Sequence, residues 1–192
     1  KKEAAAVKKA ASPNIKIENE EAYCYPKSGT ESLKERPVII GAGPAGLFAA
    51  LALSENGYAP VLLEQGDPVE IRTRKVEDFW KYGDSRLDPY SNVQFGGGGA
   101  GTFSDGKLNT LVKDVSGRNK KVLEIFVEAG ADSTILYDSK PHIGTDVLAD
   151  VVKNIRKRIE EKGGQVRFSS RVADILEEDG NVLGVTLSDG SF

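Results

Sequence analysis

The chain has 192 residues, 39% of them hydrophobic, enough to bury one good core within the usual size of a single domain. Twenty-six Lys and Arg against 29 Asp and Glu leave a formal net charge of −3, which supplies no broad basic field, so neither nucleic acid nor a membrane surface is an expected partner. The single cysteine, Cys24, can form neither an internal disulfide nor a C-x-x-C centre, and no long apolar run or secretory leader occurs, so a cytoplasmic location is expected.

In chain order, residues 1–36 are rich in lysine and glutamate, then in turn formers, and read as an N-terminal tail and linker. Residues 37–192 read as one domain. Val38-Ile39-Ile40 is a short β-branched run ended by glycine, the pattern of a buried parallel strand. Pro44 to about Asn56 reads as a small-residue helix with Gly57 at its C-terminal cap, and Val61-Leu62-Leu63 as a second strand ending at Glu64. Strand, helix and strand within about thirty residues make a βαβ unit. A helix is expected around residues 68–80, and the glycine run 96–101 suits no regular element. Residues 118–129 place Val122, Ile125, Phe126 and Ala129 on one helical face, and a further helix begins at Thr145, capped by its hydroxyl, and runs toward Gly163. A strand at 166–168 and a hairpin from about Val172 to Leu187, turned at Asp179-Gly180-Asn181, complete the pattern. The fold class is therefore α/β, Rossmann-like, with a parallel sheet and a C-terminal hairpin. The chain lacks methionine and stops just after Ser188-Asp189-Gly190, so it is expected to be a piece of a longer protein, incomplete at its C-terminus.

Gly41-Ala42-Gly43-Pro44-Ala45-Gly46 is a G-x-G-x-x-G element. Alone such a hexapeptide is weak evidence, but here it follows a strand and opens a helix. The first glycine permits the tight turn, the second lets backbone approach a diphosphate, and the third lets the helix pack close to the strand. The diphosphate then rests on unpaired N–H groups at the positive end of the helix. Glu64, with Gln65 beside it, stands where the βαβ geometry delivers a carboxylate to a nucleotide ribose, and the acid disfavours a 2′-phosphate. FAD and NAD both satisfy this pattern.

The runs VIIGAGPAGLFAALALSENGYAPVLLEQG, SNVQFGGGGAGTFSDGKL and KPHIGTDVL resemble the bacterial FAD-dependent dehydrogenases labelled NAD(FAD)-utilising dehydrogenases, across residues 37–192. The resemblance implies the FAD-binding domain of the glutathione-reductase-like flavoproteins, with non-covalent FAD. It also implies that an arginine a few residues after the Glu64-Gln65-Gly66 turn, Arg72 or Arg74, helps hold the FAD phosphates, and that the backbone of Val172 pairs with adenine. The family pattern carries glutamate where Gly97 stands here.

On physical grounds the loop Gly97, Gly98, Gly99, Ala100 and Gly101 offers consecutive N–H groups to a cofactor with little Cβ in the way. Thr102, Ser104 and Asp105 add polar handles, and Lys107 can bring a cation to a flavin edge. His142, the only histidine, is the candidate catalytic proton donor, although a lone histidine before a helix is more often a packing or capping residue. One His and one Cys cannot supply a closed metal site. Three functions fit these residues: an FAD-dependent oxidoreductase of undetermined substrate, with NAD(P)H as a transient electron donor; an NAD-binding dehydrogenase; and a non-catalytic flavin-binding or redox-sensing module.

Overall fold

The computed structural model describes residues 2–17, 22–108, 110 and 112–191. Three parallel strands form a sheet in the order β1 (Val38–Ile40), β2 (Val61–Leu63), β3 (Gln165–Arg167). Ile39 lies opposite Leu62, and Leu62 opposite Val166. Helix α2 (Pro44–Glu55) links β1 to β2, so the strand-helix-strand unit expected from the glycine pattern is present. Its end is set by Gly57, whose φ of +84° ends the helix in a left-handed turn.

Helices α3 (Val69–Tyr82), α4 (Arg118–Glu128) and α5 (Thr145–Glu161) lie between β2 and β3 in the chain. The apolar spacing of Val151, Val152, Ile155 and Ile159 gives α5 one apolar stripe, which packs on α2. Leu47 and Leu51 of α2, Leu62 of β2, Ile125 of α4 and those α5 residues form a single core. Each of the fully buried leucines and isoleucines contributes roughly 1.5–3 kcal/mol by leaving water. A separate antiparallel hairpin, β4 (Val172–Glu178) and β5 (Asn181–Leu187), turns at Asp179 and Gly180, both at positive φ, as the Asp-Gly signal predicts.

Four expectations change. Strand β1 is an edge strand among the described residues, and Val38 and Ile40, 45% and 53% exposed, share the face opposite Ile39, which packs against the core. An apolar run does not reveal how many neighbours a strand has. Residues Lys2–Ala10 form helix α1, exposed along nearly all of its length, inside the segment read as tail and linker. Alanine and lysine favour helix locally without needing a packed face. Thr145 does not cap α5; Gly144 occupies the cap position and Thr145 is the first helical residue. Finally, the glycine loop ends in a short 3-10 turn, Ala100–Phe103.

The linker is pinned at its end. The Arg36 guanidinium donates to the carbonyls of Ala59, Pro60 and Gly163, tying the approach to β1 to the starts of β2 and β3.

Candidate functional site

The C-terminal ends of β1 and β2 open into a cavity of about 330 Å³, within the range of ligand pockets. Its walls are Ile40, Gly41 and Gly43 from the first turn, Glu64 and Gln65 after β2, Gln94 to Gly96 and Gly99 from the glycine loop, and Ser170 to Val172 before the hairpin. Four separated segments of the chain therefore meet in one place.

Each part of the first turn has a visible cause. Gly41 sits at φ +92°, which residues with a Cβ rarely adopt. Its N–H still donates to Leu63, extending the sheet ladder by one rung. Gly46 permits the close approach of helix and turn: a Cβ there would lie 1.9 Å from the Gly41 carbonyl oxygen and 3.3 Å from Leu62. Gly43 differs, because a Cβ on it would meet nothing within 4 Å. Pro44 begins α2 with the fixed φ of a first helical residue and no N–H to satisfy. The N–H groups of Gly43, Ala45 and Gly46 find no acceptor among the described residues, so they are open to an incoming anion.

Glu64 is buried, 5% exposed. One carboxylate oxygen accepts the Ala42 N–H at 2.7 Å and the other the Gly66 N–H at 2.9 Å. Each oxygen has a second lone pair, so the carboxylate keeps accepting capacity toward the cavity it lines. Ala42 in turn accepts the Gly98 N–H at 2.9 Å. A continuous path thus runs from the acid through the first turn to the glycine loop.

The loop uses its N–H groups differently from the expectation. Those of Gly97, Gly98 and Gly99 are bonded to the carbonyls of Asp67, Ala42 and Gly96, so they hold the loop in place and are not offered to a ligand. Ala100 and Gly101 lie beyond, and Gly101 faces a second, more apolar cavity of about 170 Å³ shared with Pro44, Gly98, Thr102 and Lys107. Thr102 is 2% exposed, and its hydroxyl has no hydrogen-bond partner among the described residues.

Arg72 is also placed differently. Its side chain is fully buried, and its three nitrogens donate to five backbone carbonyls: Asn92, Val93, Gly96, Gly97 and Gly99. Its guanidinium also lies over the Phe103 ring, 4.8 Å from the centroid. Burial holds its pKa down, to about 10, against the opposing pull of Glu64. Direct phosphate contact, as implied by the resemblance, gives way to an internal brace, because each of the three nitrogens donates into the loop. Arg74 is exposed on the same helix.

Val172 lines the cavity. Lys107 and His142 do not line it; they face each other across an antiparallel bridge. Both side chains are exposed, and Lys107 forms an ion pair with Asp105 at 2.8 Å. The residues that the sequence reading missed are Gln94, Phe95, Ser170 and Arg171. Arg171 lies over Tyr90, 5.0 Å from the ring centroid, and donates to its hydroxyl at 3.1 Å. Its position directly before Val172 was the available signal.

Residues 39–91 match the family described as an NAD(P)-binding Rossmann-like domain. An uncharacterized protein of Clostridium beijerinckii is 52% identical over 162 residues, which are 84% of this chain and 30% of that protein. The chain therefore spans about 30% of the length of that relative. Glycine oxidase from Bacillus cereus is 16% identical with a TM-score of 0.39, the match covering 82% of this chain and 52% of the oxidase. The open conformation of a flavocytochrome c3 fumarate reductase is 19% identical with a TM-score of 0.45, covering 79% of this chain and 30% of that one.

Proposed function

We propose that this chain is the adenine-dinucleotide-binding part of an FAD-dependent oxidoreductase, the dinucleotide lying in the cavity between the first turn and the glycine loop. The observation that carries this reading is the placement of Glu64. A buried acid bonded to the middle of the G-x-G turn stands within reach of the sugar of any nucleotide whose diphosphate rests on the Gly43, Ala45 and Gly46 N–H groups.

The residues present fit such a group. The turn supplies N–H donors with no protein acceptor, and Gly43 has open space where a Cβ would project. FAD, when bound, supplies a ring that accepts or donates a hydride. The chain's own work is to hold the diphosphate at the first turn, to orient the sugar through Glu64, and to flank the remainder with Gln65, Gln94, Phe95 and Val172. Glu64 also repels a ribose 2′-phosphate, so NADP is disfavoured in this cavity. Thr102 and Lys107 of the second cavity, with His142 beside Lys107, are the groups proposed to serve the reacting end, His142 as proton donor.

A second reading, that the cavity takes NAD, is favoured by the match of residues 39–91 to a family described as NAD(P)-binding. Denaturing the purified chain and identifying the released nucleotide by mass spectrometry distinguishes the two. FAD supports the first reading, NAD the second. A chain that releases neither and takes up neither on titration contradicts both.

A further inference from the structure

The guanidinium of Arg72 has an arrangement that the dinucleotide reading leaves unexplained. Five carbonyl oxygens from one loop converge on one buried cation, and no carboxylate forms an ion pair with it among the described residues. Burying an unpaired charge is unfavourable, so such an arrangement persists only where surrounding dipoles stabilise it.

The peptide plane gives the consequence. In a trans peptide the carbonyl of one residue and the N–H of the next point in opposite directions. Because the Gly96 and Gly97 carbonyls turn inward to Arg72, the N–H groups of Gly97 and Gly98 turn away from it. They are caught by Asp67 and by Ala42 of the first turn. The Gly99 carbonyl also turns inward, and the next N–H, that of Ala100, meets no acceptor among the described residues. Carbonyl oxygens that would repel an anion are thus gathered on the far side of the loop, while Gly96 and Gly99 form the wall that faces the cavity. Gly96 also lets the loop lie close on the arginine: a Cβ there would lie 2.5 Å from Arg72 Cδ, behind the wall.

We infer that Arg72 is a positioning residue for the diphosphate of the bound dinucleotide, turning the carbonyls of the glycine loop away from the cavity and placing a buried positive charge behind its wall. The inference rests on the cavity being a dinucleotide site and goes beyond that reading, since Arg72 does not itself line the cavity and acts through Gly96 and Gly99, which do. A brace that served folding alone would affect every ligand of the cavity equally. A brace that organises the wall for a diphosphate acts selectively on ligands that carry phosphate.

The test is calorimetric titration of the full 192-residue chain, wild type and Arg72→Lys, with adenosine and with ADP. Lysine keeps the charge but has three rotatable donors in place of the planar fork, so the loop carbonyls are no longer all held. The expected result is adenosine affinity within about twofold of wild type and ADP affinity lower by at least about tenfold. Equal losses for both ligands, or no loss for either, overturn the inference while leaving the dinucleotide reading intact. A wild-type chain that binds neither ADP nor FAD overturns the dinucleotide reading and this inference together. Should Arg72→Lys not fold, the wild-type chain supplies the independent measurement. ADP should slow hydrogen exchange at the Arg72 Nε–H and shift its resonance, and adenosine should leave both unchanged; identical behaviour with the two ligands overturns the inference.

Discussion

Glu64 accepts the Ala42 N–H at 2.7 Å, so the acid that follows β2 reaches into the middle of the glycine turn that follows β1. The other carboxylate oxygen takes the Gly66 N–H, and Ala42 passes the connection on to Gly98. The acid is therefore both a structural clamp and a cavity wall, and its substitution has two separable effects. Glu64→Gln keeps the size of the side chain but sets an amide N–H₂ against a backbone N–H. Leaving a buried donor unpaired costs about 1–3 kcal/mol, measurable by denaturant unfolding. Dinucleotide affinity, measured under conditions where the variant is fully folded, should fall at least about tenfold through the lost sugar contact. A variant that is destabilised yet binds as wild type would show that Glu64 is a clamp alone.

Gly43 and Gly46 separate binding from folding more sharply. A Cβ at Gly46 collides with the Gly41 carbonyl at 1.9 Å, so Gly46→Ala should cost about 1–3 kcal/mol or more of stability. A Cβ at Gly43 meets nothing within 4 Å, and its φ of −73° suits alanine. Gly43→Ala should therefore unfold within about 0.5 kcal/mol of wild type. Its methyl group nevertheless projects where the diphosphate belongs, and binding should be lost. Thermal unfolding and ligand titration of the two variants check the pair; normal binding by Gly43→Ala contradicts the proposed placement.

Acid stability should depend on Asp88. Burial pushes its carboxyl pKa up, but hydrogen bonds from the Lys75 ammonium and from the Tyr90 and Ser91 N–H groups outweigh this and hold it below the ordinary 3.8. A depressed carboxyl contributes stability that is complete above its unfolded-state value and lost as pH falls through the lower folded-state value. Lys75, raised above 10.5 by its bonds to Asp67 and Asp88, behaves oppositely, losing its contribution only as pH rises through its folded-state value. Asp88→Asn should lower stability near neutrality by on the order of 1 kcal/mol or less, since the pair is partly exposed. The difference from wild type should shrink as the solution is acidified from about pH 4 toward pH 2, followed by urea unfolding. A difference constant across that range would contradict the assignment.

His142 should be separable from nucleotide binding. It lies outside the first cavity, so His142→Gln should leave FAD or NAD affinity within about twofold of wild type. Where turnover can be assayed, the proposed proton-donor role predicts a fall of about 10²–10⁴ with binding unchanged. Unchanged turnover would return His142 to a packing role beside Gly106 and Lys107.

The first βαβ unit was legible because its signals are local: a β-branched run, three glycines with distinct steric duties, and an acid at the end of the second strand. The hairpin was legible through Asp179-Gly180 for the same reason. What escaped depends on partners that carry no residue identity. The brace made by Arg72 escaped because nothing in its sequence neighbours reveals that five backbone carbonyls will close around it. The exposure of β1 escaped because Val38-Ile39-Ile40 looks alike with one face covered or two. Arg36 falls in the same class, its acceptors being the carbonyls of Ala59, Pro60 and Gly163. Of the cavity walls, Gln94, Phe95, Ser170 and Arg171 became visible only once the glycine loop and the segment after β3 were brought to the first turn.

The central claim is that a diphosphate rests on the backbone amides that open α2. Amide nitrogen–proton correlation spectra of the isotope-labelled chain, recorded during titration with FAD, measure this most directly. The largest shifts are expected at Gly43, Ala45 and Gly46, with accompanying shifts at Ala42 and Gly66, whose N–H groups are held by Glu64. Resonances of these five residues that stay in place at saturating FAD, with the shifts confined elsewhere, would contradict it.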